Sequence, residues 1–328
     1  MILFWTGALA LLLLLYVVLD GFDLGVGILF GFNRDEEHRR LMLSAISPVW
    51  DGNETWLVLT AAVLFGAFPS VYATLLEAFY LPMIFLLAAL ILRGVAFEFR
   101  YKSTTMRWFW DLCFAGGSTL AAFIQGATVG ALVEGLPMVN GHYSGSAFSW
   151  LSPFAAICGL GLCLGYGLLG ASWLVAKSEG TLRDRGYRHL PILLGGVFIF
   201  LAVAFAVALS ENLRIMDRWL ERPYLLVFPV IGAVAAAFLI TGIRRRIDQY
   251  PLPMTIVIFV SAFATLAASF WPYMIPFAVT IEEAASPPSS LRFMFWGAGL
   301  VALPLTLIYT VTVYRIFSGK LVNDKAYD

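Results

Sequence analysis

The sequence predicts an all-α polytopic membrane protein with nine transmembrane helices. Three observations carry this. Of 328 residues, 60% are hydrophobic and 13% charged, with a mean hydropathy of +0.84, outside the range of a soluble globular domain. Apolar stretches of about twenty residues, enough to cross a hydrocarbon core of about 30 Å, recur along the chain. They are too long and unbroken for the roughly ten-residue alternating strands of a barrel, and only helices then satisfy their backbone in lipid.

The expected spans are 2–32, 50–68, 72–98, 108–134, 150–176, 190–210, 223–243, 252–277 and 292–314, in a single integral membrane domain over 1–328. The first begins "MILFWTGALALLLLLYVV", without a basic leader region or a small-residue cleavage site, and reads as a retained span. It closes with "VVLDGFDLGVGILFGF" (17–32), where Asp20 and Asp23 sit one helical turn apart. Gly21 with Gly25, and Gly27 with Gly31, form small-x-x-x-small pairs that let a neighbouring backbone approach.

The second span opens on "WDGNETWL" (50–57), with Asp51 and Glu54. The third contains Arg93 and closes on "FEFRYK" (97–102), where Glu98 precedes Lys102 by four residues, the order that suits an ion pair. The fourth opens on "RWFWD" (107–111), with Asp111. Spans five to nine carry almost no acid, and the longest outer connection, "GLPMVNGHYSGSAFS", is too short for a soluble domain.

Sixteen of the 21 Lys and Arg residues fall in connections on one side: Arg34, Arg39 and Arg40; Arg100, Lys102 and Arg107; Lys177, Arg183, Arg185 and Arg188; Arg244, Arg245 and Arg246; Arg315, Lys320 and Lys325. The opposite side carries Arg214, Arg218, Arg222 and Arg292. The first side is therefore cytoplasmic, which puts the N-terminus outside and the C-terminus inside. Basic residues in short clusters between apolar runs offer no face for a nucleic-acid backbone.

A charge at the bilayer centre costs ~2.5–3.5 kcal/mol on insertion scales, so each intramembrane acid needs a partner, water or a task. Asp20, Asp23, Asp51, Glu54, Glu98 and Asp111 all fall in or near the cytoplasmic half, although the four helices alternate in direction. Helix capping also accounts for Asp51 and Asp111, and an interfacial ion pair for Glu98 with Lys102. Haem ligation is not expected here: His38, His142 and His189 lie in connections or at span ends. Cys113, Cys158 and Cys163 form no metal-binding spacing and read as small buried hydrophobes. No phosphate loop, zinc motif or nucleophile elbow is present, so no catalytic residue is assigned. The residues leave two classes open. One is a proton-conducting or structural subunit of a larger membrane machine, the other a stand-alone proton-coupled membrane transporter.

The motifs "DGFDLGVG" (20–27), "WDGNETWL", "FEFRYK", "RWFWD", "GASWLVAKSEG" (170–180) and "FWPYMIP" (270–276) lie in order from end to end. In them the chain resembles subunit II of the cytochrome bd-type quinol oxidases. That resemblance implies two four-helix bundles plus one peripheral helix, in the bacterial or archaeal cytoplasmic membrane. It implies a haem-free subunit paired with a subunit I that carries two haem b and one haem d, where quinol is oxidised and oxygen reduced to water. Asp51, Glu98 and Lys102 match positions of an inward-opening proton path. Asp23 and Asp111 match a buried acidic cluster with a structural, protonic or cation-binding role, which would place any cation at Asp23, Asp51 and Asp111. Asp20 belongs to the same motif, and Glu54 stands where relatives can have Gln. The resemblance also admits a small single-helix subunit and a bound quinone or lipid, although the short connection between spans six and seven leaves little for such a site on the outer side.

Overall fold

A computed structural model of the chain describes residues 1–139, 142–211 and 213–321. Lys325 and the tip of the 135–149 connection, Asn140 and Gly141, lie outside the described residues. In order the helices are α1 (Ile2–Gly31), α2 (Glu36–Ile46), α3 (Trp50–Ala67), α4 (Pro69–Ala78), α5 (Tyr80–Lys102), α6 (Arg107–Glu134), α7 (Pro153–Lys177), α8 (Gly180–Ser210), α9 (Arg214–Glu221), α10 (Val227–Arg245), α11 (Pro251–Phe270), α12 (Ile281–Ala284), α13 (Pro288–Met294) and α14 (Leu303–Ile316). A π-helical stretch, Phe295–Ala302, joins the last two. Two small hairpins, β1 (Met138–Val139) with β2 (His142–Tyr143) and β3 (Tyr273–Ile275) with β4 (Val279–Thr280), complete the fold.

Among the described residues, eight helical stretches are long and apolar enough to cross a membrane. The stretch expected over 50–68 is also helical, as α3, but Asp51, Asn53 and Glu54 at its start keep it out of that class. The stretch expected over 72–98 is divided at Phe79 into α4 and α5. Pro82 explains the break, because in a continuous helix its ring would meet the carbonyl of Ala78, the last residue of α4. Pro69 acts similarly on Phe68, the residue separating α3 from α4, since the residue before a proline is pushed out of helical backbone. The stretch expected over 252–277 ends as helix at Phe270, where Pro272 follows a cis Trp271–Pro272 bond and the chain turns into the β3–β4 hairpin.

The C-terminal half of α1 is the most enclosed element, buried without interruption from Asp20 to Phe30. Its glycines account for this. A Cβ on Gly25 would lie 1.8 Å from the Tyr166 carbonyl oxygen, and one on Gly170 would lie 2.3 Å from the Gly25 carbonyl carbon, so α1 and α7 touch backbone to backbone. On the other face a Cβ on Gly27 would lie 2.0 Å from Ser118 Oγ, which brings α6 equally close. Aromatic side chains seal the ends of this contact: Phe22 stacks on Trp173 at 4.1 Å, and Trp173 Nε1 donates to the Ala45 carbonyl beneath α2. Packing then passes from α7 to α8 and α11, and from α11 to α10. α14 has no buried residue of its own and covers the outside of α1 and α3.

The last described residues, 317–321, are fastened to the helix ends beside them. Lys177 Nζ donates to the Phe317 carbonyl, and the Leu321 amide donates to the Lys177 carbonyl at 2.8 Å. Lys320 Nζ binds Asp248 Oδ2 at 2.6 Å, and Arg183 and Tyr187 bind the same carboxylate. Burial works against the charged form of Asp248, but these three donors outweigh it and hold the carboxyl down from 3.8 to about 2.

Two outcomes follow from this packing. Gly25→Val should lower the thermal midpoint of the purified protein by the equivalent of at least ~1–3 kcal/mol of overpacking, whereas Gly7→Ala, with open space around it, should leave it unchanged. Because the Asp248 pKa falls on folding, its contribution is complete above its unfolded value of 3.8 and is lost as pH drops through about 2. At neutral pH, Asp248→Asn should speed proteolytic removal of the tail about fivefold or more, the effect of ~1 kcal/mol.

Candidate functional site

The buried acids of α1 are organised by one cation. Arg93, on α5, is 1% exposed and presents Nη1 to Asp20 Oδ1 at 2.8 Å and to Glu54 Oε1 at 3.0 Å. A single guanidinium nitrogen thus bridges α1 and α3 from the third helix. Asp20 is fully buried and the Glu54 side chain is 25% exposed, so the pair runs from the interior toward the surface. Asp23, also fully buried, is held by a neutral group: Asn53 Nδ2 donates to its Oδ2 at 2.7 Å. Asn53 Oδ1 in turn accepts from the Tyr314 hydroxyl at 2.9 Å, which ties α14 to the cluster. Three polar atoms here have no partner among the described residues: Asp20 Oδ2, Asp23 Oδ1 and Arg93 Nη2.

Behind Asp20 lies an uncharged chain of hydrogen bonds. Tyr166 donates to Gln125 Oε1 at 2.8 Å, and Gln125 Nε2 donates to the Tyr16 hydroxyl at 2.7 Å. Tyr16 stands one turn before Asp20 on α1. These residues bring α6 and α7 to the same centre.

Asp111 does not join this group. It lies in a second cluster at the end of α1, where Arg39 from α2 binds its Oδ2 at 2.7 Å and Arg100 from α5 binds its Oδ1 at 2.5 Å. Arg100 also reaches Glu36 at 2.8 Å, and the Arg39 and Arg100 guanidinium groups lie over the Phe30 ring at 4.9 and 5.3 Å. Two arginines on one carboxylate leave no net negative charge there to hold a cation. Asp23, Asp51 and Asp111 therefore occupy three different surroundings, and among the described residues no group of three His, Cys, Asp or Glu is placed to hold a metal ion. Of the histidines, His38 has Nε2 engaged with Thr181 Oγ1 at 2.7 Å.

Asp51, Glu98 and Lys102 are exposed on the surface of the chain. Trp50 and Phe97, the residues preceding the two acids, pack ring against ring at 5.1 Å, so Asp51 and Glu98 flank one aromatic contact between α3 and α5. The i,i+4 ion pair expected of Glu98 and Lys102 is not formed, and none of the three side chains makes an ion pair among the described residues. Asp51 stands one turn from Glu54 on α3, which links the exposed group to the Arg93 cluster in space.

Sequence reasoning leaves Arg93 without a partner, and it misses Asn53, Gln125, Tyr16, Tyr166 and Tyr314 altogether. A signal for Arg93 exists, because a lone cation inside a span requires an acid on another span. Neutral hydrogen-bonding residues in apolar helices give no such signal.

Fold and site define a multi-pass helical membrane protein with ion-paired clusters buried among its first helices. A sequence profile described as cytochrome bd terminal oxidase subunit II matches residues 1–317, and the chain belongs to that family. It is 29% identical to the cytochrome bd-I ubiquinol oxidase subunit 2 of Escherichia coli K12, over 98% of this chain and 95% of that protein. It is likewise 29% identical to the cytochrome bd ubiquinol oxidase subunit 2 of Bacillus subtilis, over 98% and 97%. A chain of the bd oxidase from Geobacillus thermodenitrificans has the same fold, with a TM-score of 0.80 at 16% identity, covering 96% of this chain and 98% of that one. Family membership sets aside the stand-alone transporter.

Arg93→Gln should strand Asp20 in the interior and cost ~3–5 kcal/mol. The expected readout is a sharp fall in purified yield and thermal midpoint, with Arg107→Gln, a surface arginine 43% exposed, near the parent value.

Proposed function

We propose that this chain is the haem-free subunit II of a terminal oxidase that couples quinol oxidation to reduction of oxygen to water. Its partner, subunit I, would hold two haem b and one haem d and would meet the quinol. In this reading α3 is the ninth span, the N-terminus lies outside and the C-terminus in the cytoplasm, and two four-helix bundles are followed by one peripheral helix. The polar start of α3 is no obstacle, because Glu54 bonds Arg93 and Asn53 bonds Asp23 inside the chain.

The chain's own contribution is an entrance for protons on the cytoplasmic side, at the interface with subunit I. One observation carries this: Asp51, Glu98 and Lys102 are exposed and make no ion pair among the described residues, while Asp20, Glu54 and Asp111 behind them are locked to arginines. Groups that pass protons exchange them with water most readily where no salt bridge holds them. The exposed row has that character, and Trp50 against Phe97 keeps Asp51 and Glu98 at one level. Lys102, one turn beyond Glu98, adds a third exposed group that can exchange protons with water.

Asp51→Asn in the assembled complex should slow oxygen consumption about tenfold or more while the haem spectrum stays intact. Full turnover with unchanged proton uptake would remove Asp51 from the path. Loss of haem would instead assign it a structural role.

A further inference from the structure

The Arg93 cluster has more acid than base. Among the described residues Arg93 is the one cation bonded to it, and its Nη1 already serves both Asp20 and Glu54. Asp23 is a third carboxyl, fully buried, whose only bonded partner is a neutral amide. Uncompensated charge in such a place is prohibitive unless something neutralises it. The groups around it are accounted for: Tyr16, Asp20 and Asp23 from α1, Asp51 and Glu54 from α3, Arg93 from α5, Tyr166 from α7 and Tyr314 from α14, with neutral Gln125 from α6.

A metal cation is a poor neutraliser here. The Asp20 carboxylate is already engaged by the Arg93 guanidinium, which would repel an ion bound beside it, and no group of three His, Cys, Asp or Glu is placed to hold a metal ion among the described residues. A proton fits better. Asp20 and Glu54 both bond Arg93, and Glu54 is partly exposed to water, so Asp23 is the fully buried acid without a bonded cation and the group placed to carry it. Asn53 leaves that oxygen free, since its Nδ2 occupies Asp23 Oδ2 and its own Oδ1 is taken by Tyr314. Asp23 Oδ1 and Asp20 Oδ2, both buried and both without a partner, then complement each other in kind, one as an O–H donor and the other as an acceptor.

We propose that Asp23 is kept undissociated, so that the cluster stores one proton, and that Glu54 is the group through which this proton exchanges with the surface beside Asp51. Glu54 alone among the three acids is both bonded to Arg93 and partly exposed. The storage claim stands on the geometry of the cluster, and its coupling to oxygen reduction rests on the proton path proposed above.

Infrared spectroscopy of the resting, assembled complex tests storage without turnover. The carbonyl stretch of an undissociated carboxylic acid is separate from that of carboxylates. At neutral pH the wild type should show such a band, shifted by 13C-aspartate labelling and shifted again in D2O. Asp23→Asn should remove it. Glu54→Gln, an isosteric change at a half-buried position, should keep the band but slow its shift in D2O about tenfold or more. The absence of any band sensitive to 13C-aspartate labelling overturns the proposal, and that arm needs no substitution. A band that survives Asp23→Asn, or whose intensity follows the Na+ or K+ concentration, overturns it as well. Unchanged exchange in Glu54→Gln removes Glu54 as the gate. Failure of the proton path would show only in oxygen consumption, so the two results are separable.

Discussion

The cost of burying the Arg93 guanidinium shapes the surrounding structure. It is 1% exposed, and an isolated charge in that position would be intolerable. Asp20 from α1 and Glu54 from α3 make it acceptable, and in doing so they fix the relative depth and rotation of three helices. Asn53, Asp23 and Tyr314 extend the constraint to α14, which has little packing of its own to locate it. Buried ion pairs add little net stability, because desolvation offsets the attraction. They exclude alternative registers, since any slip of α5 would leave both signs of charge unpaired.

Close approach is the condition for that arrangement. Gly25 against Gly170 and Gly27 against Ser118 set α1 near enough to α7 and α6 for Tyr16, Gln125 and Tyr166 to bond across the gap. The polar groups then form three tiers. Neutral hydrogen bonds lie deepest, the Arg93 cluster comes next, and the arginines around Asp111 close the end of α1 under α2. Outside all three, Asp51, Glu98 and Lys102 are exposed on the surface of the chain.

Much of this was legible in the sequence where one residue carries a strong physical demand. Apolar length announced the helices, glycine spacing in "DGFDLGVG" announced a tight helix contact, and buried carboxylates announced a polar site. What failed was partnership. The resemblance groups Asp111 with Asp23, yet the motifs that carry it do not reveal that α2 delivers Arg39 to Asp111. Glu98 and Lys102 have ion-pair spacing, but spacing does not decide whether two exposed side chains spend their time on each other or on water. The division of 72–98 at Phe79 was readable from Pro82, and hydropathy alone hid it. Asn53, Gln125 and the tyrosines were invisible because a neutral side chain in an apolar helix costs too little to demand notice.

The Asp20 to Arg93 bond joins residues 73 apart in the chain. At ~5–20 residues per second, a ribosome needs about 4–15 s to cover that distance. During that interval α1 must reside in or beside the translocation machinery with two acids and no counter-charge. The long run of leucines before Asp20 gives the nascent segment enough affinity for lipid to tolerate the delay. α5 arrives as the segment that brings the counter-charge, so commitment of the first helix to its final depth is deferred until α5 is made. Order of synthesis, and not only final packing, is thereby written into the placement of one arginine.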